Sequence, residues 1–208
     1  MLWDEVASVA PGRGEALVRQ TAVGLIFIDV YELTCLYGGQ LPPGLGREAA
    51  GVVEAVGPGV RDLKAGDRVA YASPAPGAYT DERVMPVASL VPVPEGVSDR
   101  LAAAALLKGM TAQVLLRRTY KVRKGTVVVV HAAAGGVGSI LVQWALHLGA
   151  QVIAVVGSDA KATTVRAMGC KDVLIQGRDD LAARVRELTG GQGAHVVYDS
   201  VGKDTFFA

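Results

Sequence analysis

The sequence predicts an α/β protein in which a small, irregular antiparallel β-barrel is followed by part of a doubly wound parallel sheet. Residues 1–107 are rich in Pro and Gly, and short alternating apolar runs lie between their turns, which is typical of such a barrel. From Val127 onward hydrophobic strands alternate with helices, which predicts parallel strands joined by right-handed crossovers. Half of the 208 residues are hydrophobic, enough for two buried cores. We therefore place a domain boundary between residues 107 and 108.

The first half contains predicted strands and ends in predicted helices. The strands are the apolar runs at 15–19, 51–56 and 67–71. Ser98 is a suitable N-cap for an Ala-rich helix over Asp99–Leu107. A turn at Lys108-Gly109 then separates this helix from a second one over 111–119.

The most specific motif begins with four consecutive β-branched residues, Val127–Val130, which predict a strand buried on both faces. A small-residue turn, Ala133-x-Gly135-x-x-Gly138, follows and matches the GxGxxG fingerprint with Ala in its first place. Apolar residues at helical spacing predict a helix over 137–148. Strand, turn and helix in this order direct backbone N–H groups and a helix N-terminus at a pyrophosphate. The motif predicts a dinucleotide site, and a purely structural glycine turn is the alternative.

Three further strands and two helices complete the predicted sheet. They are the strands at 152–156, 172–175 and 194–198 and the helices at 159–168 and 179–189. The expected strand order is 3-2-1-4, with the last strand beside the first.

Six motifs resemble the medium-chain dehydrogenase/reductase superfamily, and within it the quinone oxidoreductase (zeta-crystallin-like) family. They are Phe27-Ile28-Asp29-Val30-Tyr31, Gly44–Gly51, Lys64–Val69, Leu107–Thr111, Ala133–Gly138 and Tyr198–Gly202. The resemblance implies a GroES-like catalytic domain over 1–107 and a Rossmann NADP-binding domain over 108–208, with the cofactor in the cleft between them. It also implies NADPH-dependent reduction of a quinone or a similar activated carbonyl compound.

The end of the second Rossmann strand favours NADPH over NADH. An NADH site usually has an acidic residue there to bind the ribose 2′-hydroxyl, whereas this strand ends in Val156-Gly157-Ser158. Ser158 and Lys161 supply a hydroxyl and a cation suited to a 2′-phosphate. Asp159 is either the displaced acid of an NADH site or the N-cap of the next helix.

The resemblance implies two sets of site residues. The cofactor-binding set is Phe27, Ile28, Asp29, Val30, Tyr31, Thr111, Gly135, Gly136, Val137, Gly138, Ser139, Gly157, Ser158, Lys161, Gln176 and Val201. The catalytic set is Tyr31 and Tyr37, whose hydroxyls can hydrogen-bond the developing oxyanion of the acceptor. Two positions depart from the family pattern: Ile26 replaces a common Asn, and Gln176 replaces a Tyr near the adenosine phosphate.

The sequence predicts no zinc site. Zinc-dependent relatives need Cys or His where this chain has Ile28-Asp29, and His where it has Arg47 before Glu48. A structural zinc lobe needs four clustered thiolates, and the chain has two cysteines.

The remaining features predict a cytoplasmic protein, and the resemblance implies a small-molecule substrate. A net charge of +1 indicates neither nucleic acid nor a membrane surface as partner, and no apolar run is long enough to cross a bilayer. Relative to the family, we expect that the first barrel strand and the last Rossmann strands are missing, and that full-length relatives are homodimers. An enoyl or alkenal double-bond reductase, and a truncated non-catalytic NADPH- or RNA-binding relative, are the alternative functions.

Overall fold

The computed structural model describes residues 4–36, 44–73 and 75–206. The chain divides into two compact units, Met1–Leu107 and Lys108–Ala208. The elements up to the boundary are β1 (Glu15–Val23), α1 (Phe27–Leu33), β2 (Glu48–Val56), β3 (Arg68–Ala72), β4 (Glu82–Pro86), β5 (Val91–Pro92) and α2 (Asp99–Val114), which continues across it. The elements beyond are β6 (Val127–Val130), α3 (Gly136–His147), β7 (Gln151–Val156), α4 (Asp159–Ala167), β8 (Asp172–Ile175), α5 (Leu181–Leu188) and β9 (Val196–Tyr198).

The described part of the first unit is built on an antiparallel sheet in the order β4-β1-β2-β3-β5. Residues from its central strands, such as Val18, Val53 and Val69, are buried and form the core of this unit. The ring of Tyr71 is buried with them, while its hydroxyl donates to Gln20 Oε1 at 2.9 Å. The sequence patterns did not predict β4 and β5, because the first ends in a proline and the second has only two residues.

Helix α2 runs without a break through the predicted turn at Lys108-Gly109, so that prediction is wrong. A glycine inside a helix costs only about 1 kcal/mol relative to alanine. Buried Leu116, in the π-helical turn Leu115–Thr119 that follows α2, anchors this stretch in the core of the second unit. Ser98 caps the start of α2 as predicted, because its Oγ accepts a hydrogen bond from the N–H of Leu101 at 3.2 Å.

The second unit contains a parallel sheet in the order β8-β7-β6-β9, which confirms the predicted order 3-2-1-4. Successive valines of β6 belong to opposite faces of this sheet. Val128 and Val130 pack in one cluster with α3, and Val127 and Val129 pack in another with α5. Burial on both faces is the arrangement that four consecutive valines predict. The observed α5 and β9 are shorter than predicted: α5 begins at Leu181 after its N-cap Asp180, and β9 begins only at Val196.

The carboxyl ends of the four parallel strands lie at one edge of the sheet, where open α/β sheets bind their ligands. The loops at this edge therefore carry the candidate site in the second unit. None of the helices in the described ranges is both long and apolar enough to cross a membrane.

Candidate dinucleotide-binding site

The glycine turn after β6 leads directly into α3. Gly135 is the N-cap in extended backbone, and no side chain caps the helix. The N–H of Gly135 donates to the carbonyl of Ala132 at 2.8 Å, which closes a tight turn in which Ala132 has φ +48°. The first intrahelical bond runs from the N–H of Ser139 to the carbonyl of Gly135 at 2.9 Å. Since the first-turn N–H groups of a helix lack intrahelical partners, the start of α3 can receive an anion.

Two glycines of this turn are required for different reasons. Gly138 is buried against the turn, and a Cβ there would lie 2.8 Å from the Cα of Ala133 and closer still to the carbonyl oxygen of Ala132. Gly136 is exposed, and its Cβ would meet the Cδ and Cε atoms of Lys108 at 2.9 and 3.0 Å. Gly138 therefore allows helix and turn to pack closely, whereas Gly136 keeps the helix start open.

The end of β7 presents a hydroxyl and a cation. Gly157 is exposed, and Ser158 is the N-cap of α4, with its Oγ accepting from the N–H of Lys161 at 3.4 Å. The alternative of Asp159 as N-cap is therefore wrong. Asp159 is the first helical residue, where a carboxylate interacts favourably with the helix dipole. Rather than capping the helix, the carboxylate of Asp159 accepts hydrogen bonds from Arg178 Nη1, at 3.0 Å to Oδ1 and 3.2 Å to Oδ2.

The loop after β8 lies beside the end of β7. The N–H of Gln176 donates to the carbonyl of Val156 at 2.9 Å, which places Gln176 next to Gly157. The side chain of Asp179 closes the loop, because its Oδ2 accepts from the N–H of Ile175 at 2.6 Å.

The loop after β9 is organised by Asp199. Its Oδ1 accepts from the N–H of Val201 at 2.8 Å, and its Oδ2 accepts from the hydroxyl of Thr205 at 2.7 Å. Partial burial acts to raise the pKa of Asp199, but these hydrogen bonds and that from Gly202 outweigh it and lower the pKa. Buried His131, at the end of β6, has an Nδ1 with no partner among the described residues. Burial of His131 lowers the pKa of its imidazole, although the negative charge of Asp199 acts to raise that pKa.

The residues from Phe27 to Tyr31 form most of α1 in the first unit. Phe27 is exposed, and its ring meets that of Tyr31 edge to face with centroids 5.0 Å apart. Asp29 is buried, and its Oδ2 accepts from the N–H of Ile26 at 3.0 Å and from the hydroxyl of Tyr79 at 3.1 Å. Burial, followed by the charge and hydrogen bond of Asp29, raises the pKa of Tyr79 to about 12.

The structure assigns the predicted site residues to separate places. At the carboxyl edge of the parallel sheet lie Gly135, Gly136, Val137, Gly138, Ser139, Gly157, Ser158, Lys161, Gln176 and Val201. On α1 lie Phe27, Ile28, Asp29, Val30 and Tyr31. Thr111 is an exposed residue within α2, and Tyr37 lies outside the described residues.

Comparison with known proteins identifies the family. Residues 12–95 match the family model for the alcohol dehydrogenase GroES-like domain, and residues 136–208 match that for zinc-binding dehydrogenases. A 2-haloacrylate reductase of a Burkholderia species is 48% identical over 98% of this chain, and a quinone oxidoreductase of Pseudomonas aeruginosa is 49% identical over 94%. The crystal structure of Escherichia coli quinone oxidoreductase complexed with NADPH matches 98% of this chain with a TM-score of 0.93 and 43% identity.

The chain belongs to the quinone oxidoreductase family of the medium-chain dehydrogenase/reductases. It spans 63%, 61% and 63% of the lengths of these three proteins, in the order given. The family assignment confirms the predicted GroES-like unit followed by a Rossmann-type sheet.

The residues at the two ligand places of zinc-dependent relatives do not fit a zinc ion. Arg47 Nε donates to Glu32 Oε1 at 2.8 Å, and Arg47 Nη2 pairs with the same oxygen. A guanidinium keeps its positive charge and cannot ligate a metal. Asp29 offers one carboxylate, whose Oδ2 atom accepts from Tyr79 and the backbone and whose Oδ1 atom is buried without a partner among the described residues. Among the residues that the structure describes, no cluster of three or more His, Cys, Asp or Glu could hold a metal ion.

Local sequence patterns do not indicate that Arg178, Asp179 and Lys108 lie at the candidate site. Arg178 and Asp179 lie between β8 and α5, although the sequence predicts Asp179 as the first residue of the helix over 179–189. Lys108 was assigned to a turn, although it belongs to the predicted motif Leu107–Thr111 and packs over Gly136. Their positions depend on tertiary contacts that local patterns do not contain.

Proposed function

We propose that this chain binds NADPH and belongs to an enzyme that transfers a hydride from NADPH to a quinone or a similar activated carbonyl compound, without zinc. One observation carries the proposal. An uncapped helix start at Gly136 shares the carboxyl edge of the sheet with a corner that holds Ser158, Lys161 and Arg178. The first feature suits a pyrophosphate, and the second suits a 2′-phosphate.

Each part of the site has a separate task in this proposal. The backbone at Gly135 and Gly136 binds the pyrophosphate, and Ser158 and Lys161 bind the 2′-phosphate. Gln176, which lies beside Gly157, donates its side-chain amide to the adenosine half of the cofactor. Val201, held by Asp199, supplies an apolar contact at the edge of β9.

Bound NADPH supplies the hydride, and negative charge develops on the acceptor's oxygen as the hydride arrives. Hydrogen-bond donors already in place stabilise that charge without reorganisation. We assign this task to the hydroxyls of Tyr31 and Tyr37 and to backbone N–H groups. The edge-to-face contact with Phe27 fixes the ring of Tyr31, which is consistent with a positioned donor.

Reduction of an activated carbon–carbon double bond is the second candidate. The observation that favours it is the 48% identity to a protein named 2-haloacrylate reductase. The same hydride donor and oxyanion donors serve both reactions, because an enone or acrylate also develops charge on oxygen. A small-molecule acceptor, a homodimeric full-length protein and a cytoplasmic location remain predictions.

Titration of the chain with NADPH and NADH tests the cofactor assignment. Lys161→Ala removes a charge-assisted interaction and should weaken NADPH binding by about 1–3 kcal/mol, with NADH binding unchanged. Lys171→Ala is the matched control, because Lys171 is exposed and precedes β8 at the opposite end of the strand. Equal losses for both cofactors in Lys161→Ala would refute the assignment.

Turnover distinguishes the two candidate reactions. NADPH oxidation is followed with a simple quinone and with a 2-haloacrylate as separate acceptors. Faster oxidation with the quinone supports the first candidate, and oxidation with the acrylate alone supports the second. Tight NADPH binding without turnover of either acceptor supports a non-catalytic protein.

A further inference from the structure

An ion pair joins the first residue of α4 to the loop after β8. Arg178 Nη1 contacts both carboxylate oxygens of Asp159, at 3.0 and 3.2 Å. Both side chains are mostly exposed, by 56% for Arg178 and 80% for Asp159. An exposed pair of this kind contributes little to stability. Its removal therefore leaves the fold intact and changes mainly the charge of the surface around it.

The backbone holds Arg178 at this position. The N–H of Arg178 donates to the carbonyl of Ile175 at 3.1 Å, and Asp179 accepts from the N–H of Ile175 at 2.6 Å. Gln176 ties the same loop to the end of β7. Hydrogen bonds thus hold the loop on both sides of Arg178, at Gln176 and at Asp179, and the guanidinium of Arg178 reaches the start of α4.

The pair changes the charge that an anion meets beside Ser158. Lys161 and Asp159 lie two residues apart in the first turn of α4, so their charges cancel when only these two are counted. Arg178 neutralises Asp159 and leaves the charge of Lys161 uncompensated. Lys161 itself is exposed and makes no ion pair with any residue in the described ranges. The three charged side chains Asp159, Lys161 and Arg178 together carry one positive charge next to a helix N-terminus, which favours a phosphate dianion.

We propose that the Asp159–Arg178 pair determines the cofactor preference of this site, with Arg178 acting as a positioning residue that masks the carboxylate of Asp159. This inference rests on the proposed NADPH function. An unmasked Asp159 repels a 2′-phosphate and offers an acceptor to the 2′-hydroxyl of NADH. The masked carboxylate does neither, so the same helix start accepts NADPH although it contains an acidic residue.

A double-mutant cycle of Asp159→Asn and Arg178→Gln tests this inference in the 208-residue chain. Dissociation constants for NADPH and NADH are measured by calorimetry for the parent, both single variants and the double variant. Arg178→Gln should weaken NADPH about tenfold, the scale of one lost charge interaction, and should leave NADH unchanged or bound more tightly. In the Asp159→Asn background the same substitution should cost less than about threefold, because no carboxylate remains to be masked.

Two controls make the result specific. Arg166→Gln removes an exposed arginine from the last turn of the same helix and should leave both dissociation constants unchanged. Urea unfolding of every variant should match the parent, as expected for an exposed pair. Raising the salt concentration should shrink the effect of Arg178→Gln, because exposed charges are screened.

The possible outcomes separate the inference from the function on which it rests. An equal loss of NADPH affinity from Arg178→Gln in both backgrounds would show that Arg178 does not act through Asp159. No loss in the parent would show that Arg178 has no role in NADPH binding. Either result overturns the inference. The proposed function fails separately, if the parent does not prefer NADPH or if Lys161→Ala leaves the preference unchanged.

Discussion

Alanine substitutions at two glycines of the turn after β6 should separate folding from cofactor binding. A Cβ at Gly138 would lie 2.8 Å from the Cα of Ala133 and closer to the carbonyl of Ala132, and neither backbone atom can swing aside. The three atoms nearest to a Cβ at Gly136 all belong to the side chain of Lys108, the closest at 2.9 Å, and a side chain yields more easily than backbone. We predict that Gly138→Ala destabilises the second unit and that Gly136→Ala does not.

The magnitude follows from the geometry. Real Cβ atoms essentially never approach within 3.0 Å of another heavy atom, so α3 must move away from the turn to admit a methyl group at residue 138. Overpacking of this kind costs about 1–3 kcal/mol. The better helix propensity of alanine offsets at most about 1 kcal/mol of that cost. We expect Gly138→Ala to lose about 1–2 kcal/mol, and Gly136→Ala to stay within about 0.5 kcal/mol of the parent.

Urea unfolding followed by tryptophan fluorescence measures these differences. The chain has two tryptophans, Trp3 and Trp144, and Trp144 lies on α3 against the core of the second unit. Trp3→Phe in the background of all variants therefore makes Trp144 the reporter of that unit. Gly109→Ala is the matched control, since a Cβ at this helical glycine meets no atom within 4 Å and should stabilise by about 0.5–1 kcal/mol.

Binding supplies the second half of the test. Gly136→Ala should weaken NADPH at least tenfold, because its methyl group projects at the helix start where we place the pyrophosphate. Similar stability losses at residues 136 and 138 would refute the steric reasoning. Unchanged NADPH affinity in Gly136→Ala would refute the position of the pyrophosphate.

Three further predictions concern side chains that are buried or hydrogen-bonded. Glu32→Ala leaves the largely buried Arg47 unpaired and should cost about 3 kcal/mol in urea unfolding, whereas combining Glu32→Leu with Arg47→Met should cost much less. The raised pKa of Tyr79 means that the folded state binds the phenol proton more tightly than the unfolded state does. This contribution to stability is complete below pH 10 and is lost between pH 10 and about 12. Tyr79→Phe should therefore reduce the loss of stability at alkaline pH. The lowered pKa of Asp199 means that its ionised carboxylate stabilises the folded state above about pH 4, and this contribution is lost as the pH falls. Asp199→Asn should therefore make the free energy of unfolding less dependent on pH below about pH 4.

Sequence patterns predicted the parallel sheet well because its strands are buried on both faces. A continuous apolar run such as Val127–Val130 needs helices on both faces, which leaves few other folds for such a sequence. The order of the strands followed from the glycine turn after the first of them. The same reasoning failed at Lys108-Gly109, where local propensity favours a turn and buried Leu116 holds the helix together. Tertiary packing outweighed the cost of one glycine.

The N-terminus of α4 shows why the site was harder to predict than the fold. Ser158 and Asp159 are adjacent, and both residue types are good N-caps, so the pattern could not decide between them. The structure decides through the partners of each side chain: Ser158 accepts from the first turn, and Asp159 binds Arg178 from a different loop. A contact across 19 positions has no local signature, although it determines the charge of the corner.

The charged side chains of α1 bear on the donor that we assign in the proposed function. Asp29 is buried, and its Oδ2 is engaged by Tyr79 and the backbone at the start of α1. The carboxylate of Glu32 pairs with the guanidinium of Arg47 and balances its charge. Arg47 occupies the position at which zinc-dependent relatives have a zinc ligand. These contacts engage one oxygen of each carboxylate of α1, whereas Asp29 Oδ1 and Glu32 Oε2 are buried without a partner among the described residues. The function that we propose assigns the donor on α1 to the phenol of Tyr31, because a hydroxyl can donate a hydrogen bond to the developing negative charge on the acceptor's oxygen.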